Sequence, residues 1–127
     1  AEIPCMKMNG FAKGYGYTPD EPFKMKGKTS HSWNLVQVDN EWWPVDCTWG
    51  SGHVASNKKF EPFYQEFYFL PEPKHFILSH FPKKYASIKM NQTFQLLSDP
   101  VTIDDFNKRA KVEPGALLHG IKLSHKN

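Results

Sequence analysis

A chain of 127 residues and 14.7 kDa has room for one domain and not for a second independent core. With 39% hydrophobic, 15% aromatic and 23% charged residues it can bury an ordered interior, which excludes disordered and collagen-like classes. A net charge of +3, from 16 Lys+Arg against 13 Asp+Glu, falls short of a nucleic-acid surface, and no apolar run is long enough to span a membrane.

The chain opens on Ala1 rather than Met, which reads as an interior cut. Ile3 to Met8 is short and apolar-leaning, bounded by Pro4 and Gly10, and is expected to be a strand near a sheet edge. Gly10, Gly14, Gly16, Pro19 and Pro22 then punctuate a long loop. Lys24, Lys26 and Lys28 recur at every second position, the pattern of an extended segment with a solvated face.

The middle of the chain is the most sharply patterned. SWNLVQV and EWWPVD flank Asp39-Asn40, a turn-forming dipeptide, and together predict an antiparallel hairpin. CTWGSGHVASNKKFEP reads as loop and EFYFLP as a short aromatic strand. PEPKHFILSHFP has too many prolines for a long helix, leaving a turn or two between His75 and His80. In SDPVTIDDFNKRAKV, a Ser or Asp cap, paired acids and a basic end predict a short helix over Ile103 to Arg109. GALLHGIKLSHKN, after Pro114, reads as the start of a further unit, so the division is a partial domain over 1–112 and a following segment over 113–127.

The hairpin carries the chemistry. With Val38 opposite Glu41, the register brings Trp33 opposite Asp46, and His31 lies two residues from Trp33 on the same face. His31 and Asp46 are then diagonal neighbours, roughly 7–8 Å apart at Cα, within reach of a hydrogen bond. An aspartate holding one imidazole nitrogen leaves the other free to accept a proton, the arrangement of a general-base histidine. Pro44 in the second strand implies an edge strand or a bulge, and a bulge would separate the two residues onto opposite faces. On the residues alone, the competing interpretation is a surface ion pair.

Other constellations are weaker. His75 and His80 are five residues apart, not the i, i+4 spacing of a helical zinc pair, which favours a structural or surface role. In GFAKGYGY, Lys13 precedes Gly14, the wrong order for a phosphate loop. Trp33, Trp42, Trp43 and Trp49 are either packing residues or, for one Trp near Asp46, the wall of a substrate groove; of Trp42 and Trp43 only one can face the core. Asn91-Gln92-Thr93 has the form of a glycosylation sequon, which matters only in a secreted protein. Cys5 and Cys47 fit neither a disulfide framework nor a CxxC metal pattern, which points to a cytoplasmic protein.

The run HSWNLVQVDNEWWPVDCTWG resembles the His and Asp motifs of the transglutaminase-like superfamily, where HAWN, a strand, a turn, Trp and then VDPTW follow in order. IPCMKMNGFAKGYGY is similar to the strand that precedes the His motif. FYFLPEPKHFILSHFP and FQLLSDPVTIDDF resemble more narrowly the kyphoscoliosis-peptidase and hillarin branch. The resemblance covers roughly Ile3 to Phe106. It implies an α+β, papain-like fold with an antiparallel sheet and a Cys, His, Asp triad that transfers acyl groups from glutamine or peptide carbonyls. In that scheme His31 is the base and Asp46 orients it.

The family's nucleophilic Cys begins a helix that precedes the first strand here, where a helix N-terminus lowers the thiol pKa. Cys5 falls instead on a strand position and Cys47 on the position where the family usually has Pro, neither with a helix start or neighbouring base. The resemblance therefore implies that these residues alone are inactive, being the His–Asp half of a cysteine acyltransferase or peptidase. The alternative is a non-catalytic interaction module in a larger cytoskeleton-associated protein. Neither needs a cofactor or metal, and the expected partners are protein substrates or cytoskeletal proteins.

Overall fold

The computed structural model describes residues 2–14 and 17–111, which form an α+β structure. In chain order its elements are β1 (Cys5–Ala12), β2 (His31–Val38), β3 (Glu41–Val45), α1 (Cys47–Ser51), β4 (Gly52–Val54), β5 (Phe60–Pro62), a 3-10 turn (Glu66–Tyr68), α2 (Pro73–Phe76), β6 (His80–Pro82), α3 (Ile88–Thr93) and α4 (Ile103–Lys108). A four-stranded antiparallel sheet runs in the order β3-β2-β1-β6, and β4 and β5 form a separate small ladder.

The β2–β3 hairpin forms in the expected register, from Val38 opposite Glu41 to Asn34 opposite Val45. Asp39 and Asn40 have φ of 52° and 66°, the left-handed pair that a two-residue hairpin turn requires and that Asp and Asn tolerate. Pro44 sits opposite Leu35 without a bulge, and β3 is an edge strand of the sheet.

Strand β1 departs from expectation. It starts after Pro4, passes through Gly10 to Ala12, and pairs with both β2 and β6, so it is an inner strand. Gly10 does not end it, because close approach is what this position needs: a Cβ here would overlap the Phe81 carbonyl oxygen and come 2.5 Å from Trp33 Cη2. The pairings Met8↔Trp33, Gly10↔His31 and Ala12↔His80 put Met8, His31, Trp33 and His80 on one face of the sheet. That face is packed by Met8, Trp33, Leu35, Phe67, Tyr68 and Phe76, with Trp42 and Trp49 partly buried against them. Phe11 and Phe81 point the other way and meet Ile77, Val101 and Phe106.

On that second face Lys13, fully buried, donates from Nζ to the carbonyls of Phe106 and Arg109, each at 2.6 Å, and so closes the C-terminal end of α4. Burial, with repulsion from Arg109, pulls the Lys13 pKa down to about 8.

Several other expectations are corrected. Residues 47–62 are not loop but hold α1 and the β4–β5 ladder. Glu66–Tyr68 is a 3-10 turn rather than a strand, with only Phe69 bridging to Val45. The lysine row bends into a turn, Gly27 N–H donating to Lys24 O at 2.8 Å, because Phe23 and Met25 tuck toward the second core while the lysines stay exposed. Helix α4 lies where expected, but Thr102 caps it, accepting from Asp105 N–H at 3.1 Å. Asn91 is buried in α3, accepts from the N–H groups of Lys84 and Tyr85 and donates to Tyr85 O, so it organises a turn. The expected unit over 113–127 lies outside the described residues.

Candidate active site

The site grows from the end of the hairpin. Past Val45 the chain leaves the ladder, and Asp46, at φ −116° and ψ 92°, caps α1: its Oδ1 accepts from Trp49 N–H at 3.0 Å. Its own N–H donates to Tyr68 O at 3.0 Å, which ties the cap to the 3-10 turn. This fixes Oδ2 toward the sheet face that carries the two histidines. His31 Nε2 and His80 Nε2 both lie 2.7 Å from Asp46 Oδ2. The pair expected from the hairpin register, His31 and Asp46, is therefore in direct contact.

The surroundings are dry and aromatic. Asp46 and His80 are buried, while the His31 side chain is 16% exposed. Trp49 stacks on His31 with ring centres 5.0 Å apart, and Phe76 stacks on His80 at 3.9 Å. The rings of Trp33 and Trp49 stand edge-on to His80 at 5.0 and 4.5 Å.

These contacts set the protonation states. Burial raises the Asp46 pKa, but hydrogen bonds from His31, His80 and Trp49 N–H outweigh it and hold the carboxyl at about 2. Burial pulls His80 down to about 4, more than Asp46 can pull it up, so at neutral pH His80 is uncharged. An ionised carboxylate only accepts, so each Nε2 carries the hydrogen of its bond. His80 Nδ1 is then bare and accepts from Ser79 Oγ–H at 2.7 Å. In neutral His31 the bare nitrogen is Nδ1, which has no hydrogen-bond partner among the described residues. The arrangement can hold an imidazole with its proton-accepting nitrogen in a known place.

The His31, Asp46 and His80 ligating atoms all lie within 4.8 Å of one another. The 2.7 Å contacts through one oxygen are nevertheless too short for donors around a tetrahedral zinc, which stand about 3.3 Å apart at ordinary bond lengths. The geometry fits a hydrogen-bonded network.

Sequence reasoning missed His80, which is neither a surface residue nor a partner for His75 in α2. Its only local signal was the apolar tripeptide His80-Phe81-Pro82 after a short helix; the pairing Ala12↔His80 that places it is non-local. Trp49 packs on His31 rather than standing out as a groove wall. A cleft of about 580 Å³ is lined by Asp46, Cys47, Tyr64, Tyr68 and Phe69 among others. Cys47 does open a helical turn, contrary to expectation, but one of only five residues. Cys5 is exposed at the far end of β1, five pairs and about 17 Å along the strand from His31's partner Gly10.

The buried neutral His80 makes stability depend on pH. Its folded pKa of about 4 lies below the ordinary histidine value of 6.5, so between these values the unfolded chain binds more protons and stability rises with pH. Acidifying from pH 7 to pH 5 is expected to cost about 2 kcal/mol, read as a lower urea midpoint, and His80→Gln should flatten that slope. A further loss belongs to Asp46 as pH falls from 3.8 toward 2.

No family model matches the chain. It is 40% identical to human kyphoscoliosis peptidase over 107 residues, covering 84% of this chain and 15% of that protein. It is 29% identical to hillarin of Drosophila melanogaster over 119 residues, covering 84% of this chain and 13% of that one. It is 28% identical over 120 residues to the Lim and transglutaminase domain protein ltd-1 of Caenorhabditis elegans, covering 85% and 15%. The chain thus spans about a seventh of the length of these relatives. Its sequence, matched along most of its own length, belongs to the kyphoscoliosis peptidase and hillarin branch of the transglutaminase-like superfamily.

Proposed function

We propose that this chain supplies the base and its orienting carboxylate for cysteine acyl transfer, on the pattern of a papain-like triad, with a glutamine or peptide carbonyl of a protein as acyl donor. The observation that carries the reading is the 2.7 Å contact between His31 Nε2 and Asp46 Oδ2, which leaves Nδ1 as the proton-accepting nitrogen. A thiol, supplied by polypeptide outside these residues, gives its proton to His31 Nδ1 and attacks the carbonyl carbon. His31 returns that proton to the departing amine, a thioester forms, and an amine or water resolves it. Asp46 keeps the imidazole in one tautomer and stabilises the imidazolium between the two transfers.

The test uses the full-length polypeptide with a glutamine peptide and a labelled amine. His31→Ala is expected to lower amine incorporation and peptide cleavage by about 10²–10⁴-fold. Unchanged turnover by both assays would sink the reading. The exposed aromatics Phe60, Tyr64 and Phe69, the last two lining the cleft beside Asp46, favour a second reading, a docking module for a protein partner such as a cytoskeletal one. That reading is favoured if His31→Ala changes no turnover while Tyr64→Ala weakens partner capture.

A further inference from the structure

Two imidazoles share one carboxylate oxygen, and only one of them is needed as a base. His80 is fully buried in β6, clamped between Phe76 on its face and the edges of Trp33 and Trp49. Its Nδ1 is occupied by the Ser79 hydroxyl at 2.7 Å, so its Nε2–H can point only at Asp46. A group so enclosed cannot exchange protons with substrate. It can fix the carboxylate, and it can alter how strongly that carboxylate holds His31.

We propose that His80 is a positioning residue of this site: a neutral, immobile Nε2–H donor that holds Asp46 Oδ2 in place and weakens its hold on protonated His31. Every donor on that oxygen spreads its negative charge, and the positive end of the His80 N–H dipole faces the position where the His31 imidazolium forms. The result is a base oriented by a carboxylate whose charge is shared with a second, buried donor. Among the described residues, the titratable groups facing His80 from other elements are Asp46, His31 and Tyr68; those facing His31 are Asp46 and His80. The Asp46 carboxylate selects the His80 tautomer, and the Ser79 hydroxyl, 2.7 Å away, satisfies the nitrogen that this leaves bare.

The purpose assigned to His80 rests on the acyl-transfer reading, but the test needs no turnover, so failure of one is distinguishable from failure of the other. The probe is nitrogen-15 NMR of the imidazole rings in the 127-residue protein. In the wild type, His80 is expected to carry its hydrogen on Nε2, with Nδ1 bare, and to stay neutral between pH 6 and 8. The opposite tautomer, or an imidazolium in that range, overturns the proposal without any variant. His80→Phe keeps a ring in the aromatic cage and removes the donor, and is expected to raise the His31 titration midpoint by about one pH unit, a roughly ten-fold gain in proton affinity. His80→Gln, whose amide can donate from the same place, is expected to restore the midpoint. A merely structural role would lower stability in both variants and leave the His31 midpoint where it was, and that result overturns the proposal.

Discussion

Asp46→Ala is expected to cost about 3–5 kcal/mol of stability, the cost of leaving buried polar partners uncompensated. The carboxylate accepts three hydrogen bonds, one from the Trp49 N–H in the first turn of α1 and two from the imidazole N–H groups on β2 and β6, while the backbone N–H of the same residue anchors the 3-10 turn. Losing the cap alone costs about 0.5–2 kcal/mol, and each buried N–H left without an acceptor about 1–3 kcal/mol. Relief of the carboxylate's own desolvation offsets part of this, and the pKa held at about 2 indicates that the donors win that contest. Against a typical domain stability of about 5–15 kcal/mol, the variant is marginal at best. Urea denaturation followed by tryptophan fluorescence checks it, since Trp33 and Trp49 pack on the site. Asp46→Asn keeps the volume and a capping oxygen, so it should be more stable than Asp46→Ala while still losing turnover, because an amide no longer enforces the tautomer. Equal stability of the two variants and the wild type would mean that the cap and the shared oxygen contribute nothing.

Gly10→Ala is the second large effect, on the order of 3 kcal/mol, as overpacking costs where neighbours cannot yield. The added methyl meets the Phe81 carbonyl oxygen and the Trp33 ring. Neither moves freely: Trp33 is buried, and Phe81 belongs to the β1–β6 ladder. The weakest restraint is β6, only three residues long, so the strand that carries His80 is expected to shift away from Asp46. The measurable signature is a lower denaturant midpoint together with a change in the His80 imidazole signals. A stable variant with unaltered His80 signals would show that β6 is not held by this contact.

The hairpin was legible because its information is local. Asp39-Asn40 supplies two left-handed positions, the flanking runs are β-rich, and the register follows by counting. That counting also brought His31 next to Asp46. Helix α4 was legible for the same reason, its acids and basic end being adjacent in sequence, though the capping residue was misjudged between Ser, Asp and Thr102. What failed was set by distant partners. Gly10 looked like punctuation because the Phe81 backbone it admits lies some seventy residues on. The aromatic run around Glu66–Tyr68 has the composition of a strand, yet it curls because the Tyr68 carbonyl is taken by the Asp46 N–H and its rings are drawn into the core. His80 could not be placed until the short strand holding it was paired.

On the acyl-transfer reading, the double duty of Asp46 bears on how such a site would decay in descendants released from catalysis. Drift would strike position 31 first, since a half-open imidazole can be exchanged without emptying the interior, whereas position 46 would persist for the sake of folding. An aspartate retained without its histidine would therefore mark a retired enzyme rather than a working one.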